Sequence, residues 1–291
     1  MAERLKVGNA EVAVATDADF RYVPTSFIPR ATPEQWRPYL NGADPDAELE
    51  SRVTCYVIRS QGKNILVDAG VGQHGLWRFG DGHLLDSLKE LDLAPEDIDF
   101  VMPTHLHLDH VGWNTRPTPN GPVPTFPRAK YLFQQADWDQ FTSDEFMNRA
   151  STSPMSSNMQ NMIRVAVLPL KDSGLMDFIG PEQTITDEVT LLHTPGHTPG
   201  SVSILVQSGR DAALLIGDAA HNPAQFSESD WSPAVDIDPS LSARSRKGLV
   251  EQAMRLDAAV AGGHLAAPDQ SAFGRIIQMD GRPMWRGASL G

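Results

Sequence analysis

Three imidazoles and a carboxylate fall within six consecutive residues, His105-Leu106-His107-Leu108-Asp109-His110, directly behind the apolar run 98–102. A strand that ends in such a cluster places it where α/β sheets carry their ligand sites, at the carboxyl end of a strand. Residues 105 and 107 are two apart, so on extended backbone they project to one side, and a turn at 109 and 110 aims the next pair at a neighbouring point. The spacing therefore accommodates two adjacent metal ions.

Further ligands must come from distant strand ends. Three candidates have matching contexts: His197 in Thr194-Pro-Gly-His-Thr-Pro-Gly200, Asp218 in Ile216-Gly-Asp218, and His264 in Gly262-Gly-His264. Each follows an apolar run and stands beside glycine or proline, where the backbone turns and a side chain can enter a cleft. His197 or His264 alone would read as a surface or hydrogen-bonded core residue. Together with the 105–110 cluster they read as ligands. Cys55 is the only cysteine, so the donors are imidazole and carboxylate, a set that suits Zn²⁺, Mn²⁺, Fe²⁺ or Co²⁺. Two divalent ions are expected; the donor set by itself does not choose among these metals, and zinc is taken as the first candidate.

The order His-x-His-x-Asp-His, then a separate His, Asp and His, resembles the metallo-β-lactamase superfamily over roughly 53–264. The resemblance implies an α/β fold of the αβ/βα four-layer sandwich type, with the metals at one edge. It implies that one metal is held by His105, His107 and His197, the other by Asp109, His110 and His264, and that Asp218 bridges them. It also implies that Asp68, in Leu66-Val-Asp-Ala-Gly70, supports the site from behind; a turn former ahead of Gly70 is the competing reading. Such a centre lowers the pKa of a shared water from 15.7 to about 7 and turns it into a hydroxide nucleophile. Asp109 is a candidate proton shuttle. His221 stands three residues after Asp218, where the superfamily's acyl-homoserine lactonases place a tyrosine that contacts the substrate carbonyl. This departure weakens a quorum-signal lactonase assignment. As imidazole, His221 is a candidate catalytic donor, or a hydrogen-bond partner of the ligands.

The rest of the chain fits one domain spanning 1–291. Apolar, β-branched runs at 53–58, 64–67, 98–102, 130–133, 189–192, 201–206 and 212–216 predict strands, and 84–91 and 241–257 predict helices, the second entered through Asp238 and Pro239. Five prolines in 113–127 predict an ordered loop forming one wall of the cleft. The methionine-rich segment 141–162 predicts a helix facing the core, or facing a second copy in a homodimer. Trp77, Phe79, Trp113 and Trp231 lie in loops near the motifs, and two of the four are expected to wall an apolar pocket. His74 and His83 read as loop surface near the cleft mouth, and His193 as a structural strand end.

A formal net charge of −13 with no basic run argues against a nucleic-acid partner. No apolar stretch is long enough for a membrane span, and the first residues do not read as a secretory signal, so a cytoplasmic protein acting on a small molecule is expected. Among substrates a small ester is favoured, a lactone first, with β-lactams and organophosphate triesters as alternatives. A glyoxalase II-type thioesterase is disfavoured because only 27 residues follow His264. A mononuclear iron sulfur dioxygenase is the alternative of another class, and it would leave His110 and His264 without metal.

Overall fold

The computed structural model describes residues 2–151, 153–180, 182–265 and 271–287; the extreme ends of the single domain expected above, residue 1 and 288–291, lie outside the described residues. Two seven-stranded sheets dominate. The first runs, in spatial order, Arg4–Val7, Ala10–Tyr22, Leu49–Ser60, Lys63–Val67, Phe100–Met102, Lys130–Gln134 and Met176–Ile179. The second runs Thr184–Thr186, Val189–His193, Val202–Ser208, Asp211–Leu215, Ala259–Ala261, Gly274–Met279 and Arg282–Gly287. In the first sheet pairing is antiparallel from Arg4–Val7 to Lys63–Val67 and parallel from there through Met176–Ile179; in the second only Asp211–Leu215 and Ala259–Ala261 pair in parallel.

Three apolar layers hold the sheets. Between them lie Val12, Tyr56, Ile58, Ile65, Val67 and Met102 from the first and Leu191, Ile204, Val206 and Leu215 from the second. Behind the first sheet, helices Leu84–Glu90 and Pro154–Met162 bury Leu84, Leu88, Met159 and Met162. Behind the second, helix Pro239–Leu256 buries Leu249, Val250 and Ala253. Its first turn is capped by Asp238, whose carboxylate accepts from Leu241 N at 2.9 Å. Helix, sheet, sheet, helix is the sandwich expected.

All seven predicted strands and both predicted helices are present, with ends that coincide or differ by at most four residues. The proline-rich stretch pairs Thr115–Arg116 with Val123–Pro124 and then buries Phe126 in the core. It does not contribute to the wall of the cleft described below, because it folds behind the first sheet. The methionine helix faces the core through Met159 and Met162, with Met155 outward. No helix among the described residues is long and apolar enough to cross a membrane.

Strand Ala10–Tyr22 was not predicted. It pairs with Leu49–Ser60 along nearly its whole length, and the register shifts between Thr16 and Ala18. The shift leaves Asp17 as an extra residue, a bulge that turns its carboxylate inward. There it accepts from Val71 N at 2.6 Å, Leu84 N at 2.7 Å and Trp113 Nε1 at 2.7 Å. One carboxylate thus ties the loop after Lys63–Val67, the first turn of helix Leu84–Glu90 and the turn after His110.

Candidate metal centre

Each donor hangs from the carboxyl end of a strand or the loop behind it. His105, His107, Asp109 and His110 follow Phe100–Met102; His197 lies between Val189–His193 and Val202–Ser208; Asp218 follows Asp211–Leu215; His264 follows Ala259–Ala261. Both sheets contribute, and hydrogen bonds between them hold the two halves in register. Val202 N donates to Thr104 O at 2.9 Å, Thr54 N to Gly263 O at 2.9 Å, and Tyr56 Oη to Gly262 O at 2.9 Å. Gly263 has no room for a side chain, since a Cβ there would lie 2.7 Å from Asp218 Oδ1.

All seven predicted ligands converge. The nitrogens of His105, His107 and His197 form one group, and the donors of Asp109, His110 and His264 a second. Asp218 Oδ2 stands between them, 3.8 Å from His105 Nε2, 3.4 Å from His110 Nε2, 3.5 Å from His197 Nε2 and 3.3 Å from His264 Nε2. His221 Nε2 is 3.0 Å from the same oxygen.

Proton accounting tests whether cations fit. His197 Nδ1 lies 2.8 Å from Asp236 Oδ1 and donates to it, which leaves Nε2 as a lone pair. Thr104 Oγ1 donates to Asp68 Oδ2 at 3.1 Å and so accepts from His105 Nδ1 at 3.0 Å, which leaves His105 Nε2 as a lone pair as well. Both lone pairs face His107 Nδ1, at 2.9 and 3.0 Å, and that atom carries one proton at most. In the second group His264 Nδ1 donates to Arg52 O at 2.9 Å, so Nε2, 3.2 Å from Asp109 Oδ2, is the atom whose proton a cation would displace. His110 Nε2 and Asp218 Oδ1 are buried without a hydrogen-bond partner. Convergent lone pairs with too few protons are the signature of a cation site.

The protein groups by themselves titrate accordingly. Burial drives His105 well below the usual imidazole range, and burial with His197 alongside drives His107 down to about 3. Burial would lower His110 and His264 too, but the carboxylates around them reverse it, lifting His110 well above its ordinary value and His264 to about 10. Burial likewise opposes ionisation of Asp218 and Asp109, yet His264 and His110 hold Asp218 far below the carboxylate range and Asp109 at about 2. Metal binding to such a set displaces the imidazole protons.

A second ring of residues fixes the donors. Asp68 accepts from Thr104 N at 2.6 Å and lies 3.0 Å from His110 Nδ1, while its own backbone is left-handed at φ 62°. It is therefore both turn former and support. Two supports gave no sequence signal. Asp137, in helix Gln135–Thr142, accepts from Leu106 N at 3.0 Å, Thr198 Oγ1 at 2.9 Å and Gly200 N at 2.6 Å, locking the His107 turn to the His197 turn. Asp236 holds His197 and faces Arg246, whose fully buried guanidinium lies 3.8 Å away and binds Ala219 O, Ser229 O and Ser242 Oγ.

Beside the donor cluster opens a cavity of about 920 Å³, walled on that side by His221, Asn222 and His264 and elsewhere by Tyr39, Met284 and Trp285. None of Trp77, Phe79, Trp113 and Trp231 lines it, against expectation. Trp113 is turned away by its bond to Asp17, Trp77 donates to Asp19 O at 2.9 Å, Phe79 packs on Trp77 and under Arg78, and Trp231 packs on Trp36. His74 and His83 lie elsewhere, His74 bound to Gly112 O and Thr115 O and His83 exposed. His193 ends its strand exposed rather than buried.

Comparison with known proteins agrees with this architecture. A family profile described as the metallo-beta-lactamase superfamily matches residues 50–264, and the chain belongs to that superfamily. An N-acyl homoserine lactonase of a Bacillus species is 26% identical over 238 residues, which cover 76% of this chain and 84% of the relative. The N-acyl homoserine lactonase AttM of Rhizobium radiobacter is 28% identical over 243 residues, covering 77% and 84%. The solved structure of AidC, a dizinc quorum-quenching lactonase in complex with a product, superposes with a TM-score of 0.83 at 22% identity, over 100% of this chain and 98% of that one.

Proposed function

We infer that the protein is a metal-dependent hydrolase that opens a small lactone, with two divalent cations, zinc by preference, held by His105, His107 and His197 on one side and Asp109, His110 and His264 on the other. The observation that carries this reading is the single oxygen of Asp218 shared by imidazoles of both groups. The mononuclear iron alternative leaves His110 and His264 unused, whereas both nitrogens face that oxygen. Homoserine lactones are the first substrates to consider, because relatives on both sides of the comparison are lactonases of that kind.

Bound divalent cations supply Lewis acidity and lower the pKa of water. The protein's own groups do the rest. Asp236, Thr104, Asp68 and Arg52 O orient His197, His105, His110 and His264 in turn by receiving or facing their second ring nitrogens. Asp109 is the most exposed carboxylate of the set, at 11%. It is placed to take a proton from the attacking water and return it to the leaving alkoxide. His221 has a buried Nδ1 without a partner, so its proton serves best on Nε2, where Asp218 accepts it. In this reading His221 fixes the Asp218 carboxylate.

Acid release in weak buffer across lactones, aryl esters, β-lactams and phosphotriesters tests the reading. Chelator-sensitive turnover concentrated on lactones, lost on the order of 10³-fold or more in Asp218→Ala, is expected. Near-normal turnover by Asp218→Ala, or silence on lactones with one iron per chain, would overturn it.

A further inference from the structure

Tyr22, at the end of strand Ala10–Tyr22, forms part of the cavity wall and is only 7% exposed. A phenol has one hydrogen to donate and lone pairs to accept with. Asn222 Nδ2 donates to Tyr22 Oη at 2.8 Å, and no acceptor for the phenolic hydrogen occurs among the described residues. A buried donor without a partner is costly, so the arrangement is suited to an acceptor arriving in the cavity.

The hydroxyl is also held in place. The Tyr22 ring stacks on Phe20 at 5.4 Å and packs against Phe27 at 4.9 Å. Those two rings lie in turn against His264 at 4.5 Å and His221 at 5.0 Å. Tyr22 is thus set back from the metal cluster by the width of one aromatic ring. Its orienting partner Asn222 follows His221 directly in the chain.

We propose, building on the lactone-hydrolase reading, that Tyr22 is a specificity-determining residue whose hydroxyl donates to an amide carbonyl carried beside the scissile ester, so that the site selects acylamino-substituted lactones. A donor one ring removed from the metals meets a group adjoining the reacting bond rather than the bond itself. Burial lifts the phenol to about 12, which keeps the hydrogen in place throughout the neutral range. Tyr22 ends a strand of the first sheet and so supplies its hydroxyl from the side opposite His221, which follows a strand of the second.

The test compares Tyr22→Phe with the unmodified, metal-loaded protein on two γ-lactones that share a ring, one bearing an N-acyl substituent and one an alkyl chain of equal length. Metal content and melting temperature are measured alongside. The ratio of kcat/KM for the amide over the alkyl substrate is expected to fall roughly tenfold, the worth of one hydrogen bond of about 1.4 kcal/mol. Asn222→Ala, which frees the hydroxyl from its orienting contact, is expected to lower the same ratio by less. An unchanged ratio in Tyr22→Phe with both metals retained would overturn the proposal alone. Failure of the unmodified protein on both lactones would remove the lactone reading, and this proposal with it.

Discussion

Replacing Asp236 by Asn weakens the support of one ligand, His197, without removing the accepting oxygen. The carboxylate lies 2.8 Å from His197 Nδ1 and sits at 8% exposure, so the bond is charge-assisted and shielded from water. Asn keeps the shape and an accepting oxygen but removes the charge. A charged partner is worth about 1.5–3 kcal/mol and a neutral one about 0.5–1.5 kcal/mol, so the loss is about 1.4 kcal/mol, or tenfold in affinity for the ion that His197 holds. Outer-shell partners of ligating histidines cost 10–100-fold when removed, and the milder Asn change belongs at the lower end. The effect is expected to be lopsided: Asp236 touches His197, whereas His110 leans on Asp68 and His264 on Arg52 O. Stepwise chelation with metal counted per chain is the assay. One ion is expected to leave the variant at about tenfold lower chelator strength while the other stays. Loss of both ions together at the unmodified protein's chelator concentration would refute the reasoning. Both variants take the carboxylate charge from buried Arg246, 3.8 Å away; Asp236→Ala is the poorer choice because it also deletes the oxygen that accepts from His197 and leaves a void between the two side chains.

Gly263→Ala places a Cβ 2.7 Å from Asp218 Oδ1 and 3.1 Å from His110 Cε1; activity is expected to fall about 100-fold with circular dichroism unchanged, and wild-type kinetics would show that the turn yields freely. Cys55 is fully buried and its thiol is pushed well above the usual range, first by burial and then by nearby carboxylates. It is expected to resist alkylation at pH 8 in the folded protein and to take up one label per chain in denaturant; prompt labelling of the native state would contradict the packing.

What could be read in the chain and what could not divides along physical lines. The seven donors were legible because each interrupts a strong pattern, a polar group at the end of an apolar run beside glycine or proline. The central strands were legible for the same reason. Strand Ala10–Tyr22 was not, because alanines and the acids Asp17 and Asp19 dilute its apolar character, and its pairing rests on a partner about forty residues away. The hairpin Gly274–Met279 with Arg282–Gly287 was missed for its charges and its proline. Asp17, Asp137 and Asp236 look like ordinary surface acids in sequence, and only their burial and the N–H groups aimed at them reveal their work. The aromatic pocket was misjudged because proximity in sequence to a ligand says nothing about which face of the sheet a loop crosses. Tyr22 and Trp285 reach the cavity from the two ends of the chain.

The donors divide between the sheets, with His105, His107, Asp109 and His110 on the first and His197, Asp218 and His264 on the second. Ions seated among them would clasp the two halves of the sandwich across a seam also closed by apolar packing, backbone hydrogen bonds and side-chain bonds such as those of Tyr56 and Asp137. A ligand that binds only the folded chain adds RT ln(1 + [L]/Kd), about 4.1 kcal/mol at a thousandfold excess over Kd. The endurance of this fold is therefore expected to follow the supply of free metal, so that scarcity would loosen the scaffold by the same act that silences its chemistry.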